Sequence, residues 1–140
     1  MTSLLRISED ASLALHAMAL LAKHDGGRLS AVEIAEALHA SEHTLAKVLQ
    51  RLSRVGLVQS VRGPNGGFVL GKPADEVRLI EIYESVEGPL GEAGCLLKAP
   101  VCSGQGCVLG RLVESVHRQV ADFFARTTLS ELAEMGLPLQ

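Results

Sequence analysis

The feature that most restricts the fold is a change of period at residue 57. Before it, apolar residues recur at three- and four-residue spacing: Leu13, Ala14, Ala17, Met18 and Leu21, then Ile34, Ala35 and Leu38, then Leu45, Val48, Leu49 and Leu52. That spacing puts each set on one face of a helix. From residue 57 the period falls to two. LVQSV (57–61) and GFVL (67–70) are short β-type runs joined by RGPNG (62–66), which is dense in turn formers. The boundaries are also legible. Ser8 precedes Glu9 and Asp10, which suits a helix N-terminus, and Gly26-Gly27 is expected to stop that helix. Ser30 and Glu33 have capping-box spacing for a short second helix. His39-Ala40 leaves only a tight turn before Ser41, the expected cap of a third helix that ends at Gly56.

Two helices joined by a tight turn and followed by a hairpin make a winged helix-turn-helix. Beyond it, a fourth helix is expected over 78–87, with Leu79, Ile82, Tyr83 and Val86 on one side and Gly88-Pro89 at its end. A long helix over 108–126 carries a stripe of Leu109, Leu112, Val113, Val116, Val120 and Phe123. Thr128 and Glu131 make a capping box for a last short helix. The expected class is mainly α with a small β-hairpin wing and a long C-terminal helix, and the 47% hydrophobic content can supply its core. The expected division is a DNA-binding winged helix-turn-helix at 1–77 and a second part at 78–140. No apolar run approaches the roughly eighteen residues that span a bilayer, and MTSLLRISED lacks the pattern of a secretory signal. A cytoplasmic protein with no membrane partner is the expectation.

The net charge of −3 hides an uneven distribution. Residues 43–74 contain Lys47, Arg51, Arg54, Arg62 and Lys72 and no Asp or Glu, a local +5 that leaves −8 for the rest of the chain. With Leu45, Val48, Leu49 and Leu52 inward, the third helix turns Glu42, His43, Lys47, Gln50, Arg51 and Arg54 toward its outer face. Such a helix fits the major groove with its first residues nearest the base edges. Ser41 and Thr44 can reach phosphates through their hydroxyls, helped by the helix N-terminus. Arg62 at the wing tip suits the negative minor groove, and Gly63, Pro64, Gly66 and Gly67 allow close backbone approach. The competing reading of a basic helix face is a solvated surface. Glu42 reads equally as a first-turn dipole residue or as an acceptor for a cytosine amino group.

All three cysteines, Cys95, Cys102 and Cys107, fall within thirteen positions, CLLKAPVCSGQGC. In a reducing compartment this grouping points to metal binding or redox chemistry rather than a disulfide framework. Thiolates are the ligands that iron–sulphur clusters prefer, and Gly104 and Gly106 would let the loop wrap an inorganic core. A Cys3His zinc site and a cluster-free thiol switch are the alternatives. Three buried structural thiols are the bland reading, but these lie among Gly, Pro, Lys and Ser. An enzyme is not expected: no P-loop, dinucleotide fingerprint or oxyanion device accompanies the cysteines.

The stretch 41–89, SEHTLAKVLQRLSRVGLVQSVRGPNGGFVLGKPADEVRLIEIYESVEGP, resembles the winged-helix core of the IscR/NsrR family of bacterial transcription regulators, the Rrf-type branch that binds iron–sulphur clusters. VRGPNGG (61–67) is its most diagnostic part, and TLSELAE (128–134) extends the likeness toward the end of the chain. The resemblance implies a homodimer with the 108–126 helices crossing between subunits, so that 78–140 is a cluster-binding loop and dimerisation helices. It implies a repressor on a roughly palindromic double-stranded DNA operator, sensing nitric oxide, redox state or iron and cluster status. Ser41, Glu42, His43, Arg62, Gly63 and Pro64 occupy the family's DNA-contacting positions. Cys95, Cys102 and Cys107 would hold a two-iron or four-iron cluster. An IscR-type fourth ligand would fall at position 110, which here is Gly110. Relatives that use the partner's first helix point instead to His16, with Asp10 and Glu9 behind it.

Overall fold

The computed structural model describes residues 7–24, 27–90, 95, 97, 101–103 and 105–136. The expected stop at Gly26 and the glycine at 104 lie outside these residues. Helix α1 (Glu9–Lys23) is followed by α2 (Ala31–Ala37), α3 (Glu42–Arg54), strands β1 (Val58–Val61) and β2 (Gly67–Leu70), a 3-10 turn (Ala74–Glu76), α4 (Leu79–Glu87), α5 (Val108–Arg126) and α6 (Leu129–Leu132). This is the mainly helical winged helix-turn-helix with a two-stranded antiparallel wing that the period change predicts.

The caps explain the starts. Ser8, Ser30, Ser41 and Thr128 each accept a hydrogen bond from the backbone N–H three residues on. Ser30–Glu33 and Thr128–Glu131 close reciprocal capping boxes. At the end of α3, Gly56 N–H bonds to Ser53 O and Leu57 N–H to Leu52 O, with Gly56 at φ 81°. That pair of bonds is a Schellman motif, and it needs the left-handed backbone that glycine supplies. The same motif ends α2, where His39 N–H reaches Glu36 O and Ala40 N–H reaches Ala35 O, but the left-handed position is filled by His39 at φ 52°.

Three boundaries differ from expectation. Helix α1 ends at Lys23, because His24, whose N–H still reaches Leu20 O, leaves the helical backbone at φ −84° and ψ 44° before the glycine pair is reached. Strand β1 starts at Val58, since Leu57 N–H is used to close α3. Helix α4 starts at Leu79, because Arg78 is extended and forms a bridge with Thr128.

The core gathers Ala14, Met18 and Leu21 of α1, Ile34 of α2, Leu45, Val48, Leu49 and Leu52 of α3, Ile82 of α4 and Leu129 of α6. Helix α1 is its axle, packing on α3, α4 and α6. The wing is held to the body by Val58 in the core, with Phe68 and Leu70 packed against it, and by a bridge in which Leu29 and Phe68 exchange backbone hydrogen bonds at 3.2 and 2.8 Å. Gly71 runs so close to Gly56 that a Cβ would stand 2.1 Å from its carbonyl oxygen. Helix α5 joins the body at its C-terminal end, where Phe124 is buried and its ring lies 5.6 Å from that of Tyr83. No helix among the described residues is long and apolar enough to cross a membrane.

Candidate nucleic-acid interface and cysteine loop

Helix α3 buries Leu45, Val48, Leu49 and Leu52 and turns a stripe of His43, Lys47, Gln50 and Arg54 to solvent. These four sit at i, i+4, i+7 and i+11, so they line one face along the helix. Ser41 and Glu42 are exposed at its start and Thr44 is half-buried. The Ser41 hydroxyl oxygen accepts the Thr44 N–H at 3.1 Å, which leaves its own proton free to donate outward. Among the described residues, the ion pairs found are Lys72–Glu81 and Glu114–Arg118, so no carboxylate neutralises Lys47, Arg54 or Arg62.

The wing tip is built from Arg62, Gly63, Pro64 and Asn65, all exposed. Gly63 holds φ 108°, and Gly66 closes the turn with a 2.9 Å bond to Gly63 O. A Cβ at 66 would stand 2.4 Å from Val61 O, and one at 67 would stand 2.7 Å from Leu29 O. The paired glycines therefore have a structural reason beyond flexibility: two backbones pass where no side chain fits. Gln59 and Ser60 on β1 are also exposed; as consecutive residues they break the alternation expected of a strand, and their polar side chains were the only signal for them.

Arg51 departs from the simple outward reading. It is exposed, but its Nη1 donates to the carbonyl of Val86 at 2.9 Å, so part of its guanidinium is engaged within the chain.

Cys95 and Cys102 are exposed and Cys107 is half-buried; all three are free thiols. Cys107 caps α5, its Sγ accepting the Gly110 N–H at 3.2 Å, and Cys95 Sγ accepts the Leu97 N–H at 3.4 Å. A Cβ at 110 would lie 3.5 Å from Cys107 Sγ, so glycine there leaves that flank of the sulphur open. Among the described residues, no three Cys, His, Asp or Glu side chains stand together as a ready metal site. On donor chemistry the loop fits a cluster: three unpaired, accessible thiols outside the core, two of them already accepting backbone N–H groups. The ligands would have to be drawn together on binding.

His16 and Asp10 are half-buried on α1. His16 Nδ1 lies 2.7 Å from Ser12 O. A carbonyl only accepts, so Nδ1 carries a proton and Nε2 is the ring nitrogen this bond leaves unused.

Helix α5 is amphipathic but largely uncovered. Of its residues only Phe124 is buried, while Leu109, Leu112 and Phe123 of the predicted stripe are about half exposed or more.

The profile of the Rrf2 family, described as an iron-dependent transcriptional regulator, matches residues 7–135. The HTH-type transcriptional regulator IscR of Erwinia tasmaniensis is 31% identical over 129 residues, 91% of this chain and 78% of that protein. Among solved structures, CymR, the global cysteine regulator of B. subtilis, superposes with a TM-score of 0.77 at 32% identity, over 92% of this chain and 96% of the other. T. potens IscR superposes with a TM-score of 0.70 at 26% identity, over 96% and 94%. These proteins are regulators and not enzymes, and the regulator class agrees with the hairpin-bearing helical fold. The chain belongs to the Rrf2 family of helix-turn-helix transcriptional regulators.

Proposed function

We propose that this regulator is a homodimer that binds a roughly palindromic operator as a repressor, with affinity set by an iron–sulphur cluster on Cys95, Cys102 and Cys107. The observation that carries the reading is the set of three accessible thiols between α4 and α5, the last of them capping α5. When bound, the cluster would supply chemistry that responds to nitric oxide, oxygen or iron supply. His16 is the first candidate for the fourth ligand and comes from the partner subunit. Its Nδ1–H is held by a carbonyl, the arrangement that orients a ligating imidazole. Asp10 is the second candidate. The exposed stripe of Leu109, Leu112 and Phe123 is covered by the same helix of the second copy, as contiguous apolar surface requires.

On DNA, the start of α3 enters the major groove. Ser41, Glu42 and His43 lie nearest the base edges, and Thr44, Lys47 and Gln50 flank the backbone. Arg62, Gly63 and Pro64 reach the minor groove. Ordering of loop 95–107 at the head of α5 re-aims the two α3 helices and so the half-site spacing.

The test is anaerobic purification with a visible spectrum and iron and sulphide assays. It is followed by affinity for a duplex selected from a random pool, with and without cluster. Broad absorption, stoichiometric sulphide and unequal affinities are expected. Equal affinities remove the switch. A second reading, favoured by the likeness to the cysteine regulator CymR, is a cluster-free or zinc-bound cysteine switch. Colourless protein that resists reconstitution would select it.

A further inference from the structure

We propose that Arg51 is a positioning residue, tying the recognition helix α3 to the cysteine loop through the last turn of α4; the inference rests on the cluster-switch reading above. Three separate parts of the chain converge on residues 84–87. Arg51 Nη1 donates to the Val86 carbonyl at 2.9 Å. The Ser8 hydroxyl, at the start of α1, donates to the Glu87 carboxylate. The backbone N–H of Leu90, on the segment leading to Cys95, donates to Glu84 Oε2 at 3.1 Å.

The chemistry suits a joint. The last four carbonyls of a helix have no partner within it, and a cation at that end is favoured by the helix dipole. Arg51 therefore satisfies an acceptor on α4 that the helix itself cannot. Gly88, at φ 82°, then turns the chain sharply out toward Leu90, whose position is set by Glu84. A pull on the loop is felt first at Glu84 and Val86.

The other end of α4 is also fixed, and to the end of α5. Leu79 N–H donates to Thr127 O at 3.0 Å, Leu129 N–H to Val77 O at 2.8 Å, and Arg78 Nη1 to Arg126 O at 3.0 Å. Helix α4 is thus a strut between the end of α5 and the recognition helix. Arg51 meets it in the last turn of α3, while Ser41 and Glu42 stand at the opposite end. The intervening ten residues, at 1.5 Å each, make a lever of about 15 Å. A small shift of the α4 turn tilts the end of α3 that faces DNA.

The alternative role for an exposed arginine here is a phosphate contact, and the two roles differ in their salt dependence. Each phosphate contact adds about 0.9 to the slope of log affinity against log salt. Full-length wild type, Arg51→Gln and Glu84→Ala are compared on the pool-selected duplex. Each is reconstituted anaerobically with iron and sulphide and also prepared metal-free, with salt titrations of both forms. For wild type the affinity ratio between forms is expected to exceed about fivefold. In Arg51→Gln that ratio should collapse to within about twofold, with the salt slope unchanged and faster amide exchange at residues 86–90. Glu84→Ala, far from the DNA-facing stripe, should collapse the ratio in the same way and guards against a folding defect in one variant. A slope lower by about one, with equal affinity loss in both forms, would make Arg51 a phosphate ligand and overturn the proposal. A wild-type ratio kept in Arg51→Gln would overturn it too, leaving the switch intact. A wild-type ratio of one would remove the switch and the relay together.

Discussion

Helices α3 and α5 are both amphipathic, yet the chain treats them differently. In α3 the apolar stripe is finished within the fold: Leu45, Leu49 and Leu52 are fully buried and the charged face is left for a partner. In α5 the apolar stripe is itself the surface left over, with Leu109 at 56%, Leu112 at 51% and Phe123 at 50% exposure. One helix presents charge from a completed core; the other presents a core without its second half. On the proposed function, the same amphipathic pattern would serve a nucleic-acid face in one region and a protein face in the other. What separates them is how much of the chain folds back over each. Helices α1, α2 and α4 pack on α3, whereas among the described residues α5 packs chiefly on α4.

That contrast can be broken by large-to-small changes at matched positions. Leu49→Ala should cost about 2–5 kcal/mol of unfolding free energy in urea denaturation, because the site cannot collapse around the missing atoms. Leu112→Ala should cost under about 0.5 kcal/mol in the isolated chain, as a half-exposed side chain loses little burial. Comparable costs would mean that α5 is packed within one chain after all. Leu112→Glu sharpens the point at the level of assembly. Wild-type melting should rise with protein concentration, since folding and association are linked. In Leu112→Glu that dependence should vanish in scanning calorimetry. Affinity for a palindromic duplex should also fall by about a hundredfold as the two half-sites cease to be bound together.

How much of this was legible in the sequence follows the range of each interaction. Ser30, Ser41, Thr128 and Gly56 announce helix ends because a cap is satisfied within three to five residues. The α3 stripe and the wing turn are equally local, one set by helical period and the other by residues 62–66. Arg51 read as one more outward cation because its acceptor, Val86, lies 35 residues away and no period connects them. The Leu29–Phe68 bridge was hidden for the same reason. Grouping of the cysteines could be read from residue type alone. The hydrogen bonds of Cys95 and Cys107 to Leu97 and Gly110 N–H groups could not, because residue type says nothing of local backbone geometry. At the end of α1 a glycine pair is a plain stop signal, yet the backbone turned at His24 first.

Smaller effects test the start of α2, the helix that leads into α3. Ser30→Ala removes the hydroxyl that accepts the Glu33 N–H and should destabilise by about 1 kcal/mol. The Glu33 carboxyl is held below its ordinary value, first by the Ser30 backbone N–H and then by the Ser30 hydroxyl. A depressed carboxylate contributes stability above its unfolded value and loses it as pH falls through the folded one. The stabilising part of Glu33 should therefore be present at neutral pH and fade on acidification. Comparing Glu33→Gln with wild type in urea at neutral and acidic pH checks this. A difference that grows on acidification would reverse the assignment.

The smallest expected change is a gain. His39 holds φ 52° at the position where the α2 Schellman motif favours glycine. A side chain in the left-handed region costs about 1–2 kcal/mol, and glycine returns much of that through its greater freedom in the unfolded chain. His39→Gly should thus stabilise by a few tenths to about 1 kcal/mol in urea denaturation. The helix-turn-helix angle should hold, because the bonds from residues 39 and 40 to Glu36 O and Ala35 O are backbone only. Operator affinity is expected to stay within about twofold of wild type, given that His39 lies outside the α3 stripe. A loss of affinity with unchanged stability would show that the histidine side chain itself faces DNA. The basic surface would then begin one turn earlier than α3, and the division between a self-completed body and its binding face would have to be redrawn at the α2–α3 turn.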